Sequence, residues 1–300
     1  MCFSQIKNSF QEVQFSNITK KDRFLMFFRG KHRMKVTTLE TWMQVRKTGV
    51  PDFCIAEVVF PVLTGAKNSG AFPPRVVGLT SPERNFNFAC KLIEDSYSYK
   101  QLQGLGKLNL EVDYVVQPFR TKKAVHGRAY VLKQGNCGEV RDLFGQAYKN
   151  FKHGEASEAF SKGVQLDGRI LDYPGCCIDA CLEDVTNSQS TGERGTTQIN
   201  DIFKAEVTEG DFAIELKKIL NLPLEILQSY FALSMIPCRV GCPNAIEMGS
   251  RIHTALMNYD PSFQELYRLV LGVNVYHLWS RGGNVAFADG LVKEMIDKNT

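Results

Sequence analysis

Long apolar runs are missing from this chain. No stretch approaches the ~18 residues of a membrane-spanning helix, and even the apolar segment from Cys54 to Leu63 carries Glu57 inside it. A membrane span is therefore not expected. The first residues, MCFSQIKNSFQEVQFSN, lack the apolar core of a secretory signal, which points to a cytoplasmic protein. Internal repeats and long low-complexity linkers are absent as well. The motifs G-x-x-x-x-G-K-S/T, G-x-G-x-x-G, H-E-x-x-H and G-x-S-x-G do not occur, which removes the usual support for nucleotide-binding, zinc-protease and serine-hydrolase readings. What remains is an ordinary globular composition of 300 residues, 44% apolar and 23% charged, long enough to bury a core without staples.

A large charge imbalance is also lacking, and the formal net charge of +4 is local in origin. Lys20, Lys21, Arg23, Arg29, Lys31, Arg33 and Lys35 stand against the single Asp22, so the rest of the chain is slightly acidic. Within that segment, Arg23 to Arg33 interleaves Phe24, Phe27 and Phe28 with bases, a composition suited to RNA contact through residues 18–35. The competing reading is an amphipathic element that packs its rings on the core.

Hydrophobic patterning gives the organisation. Phe53 to Leu63, bounded by Pro51 and Gly65, reads as a buried strand, with Glu57 on its wet face. Lys107 to Val116 alternates with period two, and Gly127 to Lys133 reads as its neighbour. Ser81, Pro82 and Glu83 open a helix running to about Ser96. Beyond about residue 136 helical spacing dominates: Gly138 to Phe151, Asp211 to Leu220, Pro223 to Met235, Pro243 to Tyr259, and Asp260 to about Leu271. Val273 to Trp279 and Asn284 to Ala288, around Arg281-Gly282-Gly283, suggest a closing hairpin. The expected fold is α+β, a mixed N-terminal half packed on a mainly helical C-terminal half. It divides into a basic segment 1–35, a mixed region 36–136 and a cysteine-bearing region 137–300.

Nine cysteines form the strongest signal. An odd count in a chain read as cytoplasmic disfavours a complete disulfide framework. Cys2, Cys54, Cys90 and Cys137 are scattered, whereas Cys176, Cys177 and Cys181 form one knot and Cys238 and Cys242 another. Asp172-Tyr173-Pro174-Gly175 starts a helix that places Cys176 and Cys177 in its first turn, and Cys242-Pro243 starts a second. Backbone N–H groups and the positive dipole end favour thiolate at both places. Cys177 with Cys181, and Cys238 with Cys242, repeat a four-residue spacing, so two pairs can close one four-sulfur site of the kind that selects zinc or iron–sulfur clusters. Adjacent cysteines point about 100° apart on a helix, which favours a cluster, 4Fe–4S first, over zinc. Buried incidental thiols and a disulfide or redox dithiol are the alternatives.

Tyr173-Pro174-Gly175-Cys176-Cys177 followed by Pro237-Cys238-Arg239-Val240-Gly241-Cys242 resembles an uncharacterised prokaryotic family known only as a domain of unknown function, over roughly residues 125–260. The resemblance implies Cys176, Cys177, Cys238 and Cys242 as the ligand set and leaves Cys181 outside it. Three further residues are candidate functional groups. Arg239 sits in the second cysteine turn, His253 lies about 16 Å along the helix from Cys242, and Glu57 interrupts an apolar run; His126 and His277 carry little signal. The combined expectation is a cytoplasmic metalloprotein, leaning towards an enzyme, with an iron–sulfur cluster for redox chemistry or substrate binding and a small-molecule or redox partner. A zinc-stabilised RNA-binding or scaffold protein and a metal-free thiol enzyme are the other readings.

Overall fold

A computed structural model describes residues 33–72, 75–78, 82–95, 102–118, 124–133, 135, 137–153, 156–187, 191–203, 212–279 and 285–298. Most of the basic segment, residues 18–32, lies outside the described residues, and so does Cys2. The architecture is α+β and mainly helical. In chain order it runs α1 (Val36–Arg46), β1 (Ser69–Ala71), β2 (Arg75–Gly78), α2 (Pro82–Asp95), β3 (Leu110–Pro118), β4 (Ala124–Lys133), α3 (Cys137–His153), α4 (Ala156–Ile170), α5 (Gly175–Thr186), α6 (Thr191–Phe203), α7 (Phe212–Leu220), α8 (Leu224–Gln228), α9 (Pro243–Tyr259), α10 (Phe263–Trp279) and α11 (Val285–Asp297).

The sheet is antiparallel and organised around β4. One edge of β4 pairs with β3 over Leu110↔Lys133 to Pro118↔Val125. The other edge takes β1 at Ser69↔Leu132 and β2 at Arg75↔Gly127 in succession. Val140, Leu143 and Ala147 of α3 bury against Val115, Tyr130 and Leu132 of this sheet, which accounts for their helical spacing.

Two expected β elements are helical instead. Phe53 to Leu63 winds as a continuous helix: Asp52–Cys54, a π turn Ile55–Val59, and Phe60–Leu63. Its side chains Phe53, Ile55, Val59, Phe60 and Val62 are fully buried. A helix apolar on every face produces the same continuous run as a buried strand, so periodicity could not separate the two. Both arms of the expected hairpin are likewise helical, since Val273 to Trp279 completes α10 and Val285 to Ala288 opens α11, while its turn, residues 280–284, lies outside the described residues. Val273, Asn274 and Val275 in α10 are all buried, so their β-branched character reports burial rather than strand.

The π-turn helix and α10 form the axis of the main core. Phe60 stacks on Trp42 at 5.2 Å and meets Phe263 at 4.9 Å. Glu57 falls inside the π turn and is buried at 8% exposure, which corrects the wet-face expectation. A π turn adds one residue per turn and redirects the side chains that follow. Here the carboxylate is carried into the protein, where it accepts the backbone N–H of Leu233.

Candidate metal centre

Two chain segments meet at the cysteines. The first begins at the end of α4, where Asp172 adopts a left-handed conformation with φ 57° and its carboxylate accepts the backbone N–H and side-chain amide of Asn68 at 2.8 and 3.2 Å. This fixes the direction in which Tyr173 and Pro174 enter α5. The Pro174 carbonyl then accepts Cys177 N–H at 2.8 Å and Ile178 N–H at 3.1 Å, so Cys176 and Cys177 lie in the first turn. The second segment turns at Gly241, whose φ of +65° favours glycine. Cys242 caps α9 with Pro243 as its first residue.

The result is convergence of Cys176, Cys177, Cys238 and Cys242, whose sulfurs all lie within 4.8 Å of one another. Cys176 Sγ is 3.7 Å from Cys242 Sγ, and Cys177 Sγ is 3.9 Å from both Cys176 and Cys242. Cys177 and Cys242 are buried, while Cys176 and Cys238 are partly exposed. The Asn244 amide donates to Cys176 Sγ at 3.5 Å, an outer contact of the kind that orients a ligand. Four thiols so placed can hold a metal.

Their electrostatics are uneven. Burial pushes the Cys177 thiol up, with neighbouring cysteines adding to the shift. Cys238 is pushed up to about 11, chiefly by burial and then by donating towards Cys242. Cys242 moves down: burial opposes ionisation, but the Ala245 N–H at the start of α9 and hydrogen bonds from Cys238, Cys176 and Cys177 outweigh it. Negative charge is thus favoured on Cys242 over Cys177 and Cys238, and a metal would displace the protons of the thiols it binds.

Cys181 is not among the four converging residues. It sits four positions beyond Cys177 on α5, about 6 Å further from the helix start where the thiols gather. Its place is taken by Cys176, so the four-residue spacing misidentified one partner of the pair. Cys54 is buried at the edge of the π turn, Cys90 is half-buried in α2, and Cys137 opens α3.

The other candidates separate. Arg239 is exposed and supplies its backbone carbonyl to Cys242 N–H at 3.2 Å. His253 is buried on α9, stacked on Tyr267 at 5.9 Å, with Nδ1 3.3 Å from the Gln228 amide. Burial lowers its pKa, as does Arg268, which is the behaviour of a core histidine. His126 lies in β4 and His277 in α10.

A second polar group, which sequence reasoning missed, lies along the same two segments. Lys67, just before β1, is buried at 6% exposure. Its ammonium faces the rings of Tyr173 and Phe231 at 5.5 and 5.7 Å. Burial lowers Lys67 to about 8, against the raising fields of Asp172 and Glu57. Burial raises Glu57 to about 7, partly offset by Leu233 N–H, Lys67 and Asn274. The Tyr173 hydroxyl meets the exposed Ser234 hydroxyl at 2.6 Å, tying the segment before Cys176 to the segment before Cys238. A solitary lysine carries no sequence pattern, and Tyr173 was legible only as part of the cysteine motif. No family model matches the chain, and neither the curated proteins nor the solved structures searched contain a match.

Proposed function

We propose that the protein is a metalloprotein in which Cys176, Cys177, Cys238 and Cys242 hold a single tetrahedral ion, zinc first. The sulfur spacing carries this reading. Metal–sulfur bonds of 2.3 Å in a tetrahedron require sulfurs about 3.8 Å apart; those of Cys176, Cys177 and Cys242 are separated by 3.7, 3.9 and 3.9 Å, with Cys238 Sγ within 4.8 Å of each. The angular argument from adjacent cysteines favours a cluster, whereas the 3.9 Å between the Cys176 and Cys177 sulfurs supports a shared ion. A four-thiolate ion supplies cross-linking energy rather than an open coordination position.

The chain's own residues then define the role. Cys176 and Cys177 fix the start of α5, Cys238 and Cys242 fix the turn into α9, and the Tyr173–Ser234 hydrogen bond joins the two segments again outside the thiols. The ion clamps the walls of the polar group formed by Lys67 and Glu57. The resemblance of the two motifs to a family of unknown function supports the same four ligands.

An iron–sulfur cluster is the second reading, favoured by the partial exposure of Cys176 and Cys238 and by the amide donated to Cys176 sulfur, a contact that tunes cluster potential. It requires the sulfurs to spread, because each binds a different iron. Anaerobic purification with elemental analysis tests the choice. One zinc per chain and no visible colour is the expected result; iron and sulfide with broad visible absorbance would establish the cluster, and no metal would remove both.

A further inference from the structure

We propose that Lys67, with the hydroxyls of Tyr173 and Ser234, forms a binding site for the carboxylate group of a small molecule. The motivating observation is Lys67, a residue 6% exposed as a whole, whose ammonium has, among the described residues, no hydrogen-bond acceptor or ion-pair partner. Three N–H donors in that position call for an acceptor, since a buried charge is costly unless paired. The carboxylates whose fields reach it are engaged elsewhere. Glu57 accepts Leu233 N–H, Asp172 accepts both nitrogens of Asn68, and Asp167 takes Arg128 at 2.7 Å together with the Tyr130 hydroxyl.

The surroundings select the ligand class. The rings of Tyr173 and Phe231 hold the ammonium within cation–π range, and of the two only the half-buried Tyr173 can also meet a ligand, Phe231 being 1% exposed. Tyr173 and Ser234 share one hydrogen bond between two hydroxyls, so one O–H remains to donate to an anion. Ser234 is exposed and Tyr173 half-buried, so this donor pair is within reach of a solute. A phosphate fits less well, because the Arg128 guanidinium that could fork onto it is already bound to Asp167 and further negative charge would face Glu57, Asp167 and Asp172. The charged groups acting on Lys67 are these three acids and Arg251. Tyr173 precedes Cys176 by three residues and Ser234 precedes Cys238 by four, so both hydroxyl donors are carried by the segments that hold the thiols.

Full-length protein titrated with carbon-13-labelled acetate, with inorganic phosphate and chloride at equal ionic strength alongside, tests the site. Acetate should bind saturably and raise the melting temperature, phosphate should bind more weakly, and chloride should do neither. Lys67→Met should weaken acetate at least tenfold and Ser234→Ala severalfold, with metal content measured in each sample and unchanged. Should Lys67→Met fail to fold, nitrogen-15 lysine labelling of the wild type replaces it: acetate should move the Lys67 Nζ signal, assigned with Lys67→Arg. An unchanged Nζ signal, an unsaturable wild-type response, equal acetate binding by Lys67→Met, or tighter phosphate than acetate overturns the proposal.

Discussion

Replacing Cys176, Cys177, Cys238 or Cys242 by Ser should each release the metal, while Cys181→Ala should retain it, because only the first four sulfurs come within 4.8 Å of one another. Elemental analysis of the five purified variants checks this, and metal loss from Cys181→Ala would contradict the geometry. Glu57 gives a residue-scale prediction in pH. Its folded pKa is raised to about 7 from 4.5, so the folded state keeps a proton that the unfolded state loses. Stability conferred by this group therefore falls as pH rises from about 4.5 to about 7 and stays low above that. Glu57→Gln, whose carbonyl still accepts Leu233 N–H, should be more stable than wild type at pH 8 and nearly equal to it at pH 4. Chemical denaturation at both values reads the difference, and a larger gain at the acid end would reverse the sign. The cysteines were legible because their chemistry and helix-start context coincide. Lys67 was not, because what distinguishes it is the absence of a nearby acceptor, which only three dimensions reveal. Glu57 was visible as an anomaly in an apolar run, but assigning that run to a strand sent it to the wrong face.

At the scale of elements, α9 carries Cys242 at its start and is set in place by a close approach further along. A Cβ on Gly249 would lie 2.0 Å from the Gln228 carbonyl oxygen, so α9 can reach its position only with no side chain there. Gly249→Ala should destabilise the fold by about 3 kcal/mol and weaken metal retention by shifting Cys242, as measured by denaturation and by competition with a chelator. Wild-type stability with wild-type metal affinity would show that the contact is not limiting. Helix starts were readable at Pro82, Pro223 and Pro243, which open α2, α8 and α9 as expected. Helix α8 stops at Gln228 rather than Met235, and the start at Pro51-Asp52 reads in the sequence as the edge of a strand. The two strand assignments failed at Phe53–Leu63 and Val273–Trp279 because those helices are buried on nearly every side, which erases the amphipathic stripe. The same burial explains why the mainly helical character extends further than the pattern suggested.

Across the whole molecule, one core cluster draws on residues from Met34 to Ile296, and the cysteine group sits against it through Cys177 and Cys242. Asp260, fully buried where α9 gives way to α10, accepts Lys35 N–H at 2.7 Å and Ser262 N–H at 2.9 Å, tying the first described residues to the cysteine-bearing half. Stripping the metal should therefore loosen the molecule locally rather than unfold it. Hydrogen exchange should quicken at the start of α5 and in the 238–246 turn, while α10 and the strands of the sheet keep their protection. Global loss of protection would mean that the centre supports the entire core. RNA contact through residues 18–35 is a separate proposal from sequence, since residues 18–32 lie outside the described residues; neutralising Lys31, Arg33 and Lys35 should flatten any salt dependence of RNA affinity.

X-ray absorption at the metal edge of the anaerobically purified protein addresses the four-thiolate ion most directly. The account predicts one metal per chain surrounded by four sulfurs at about 2.3 Å with no second metal in its neighbourhood. A metal–metal distance in the spectrum, a shell dominated by nitrogen or oxygen, or fewer than four sulfurs would contradict it.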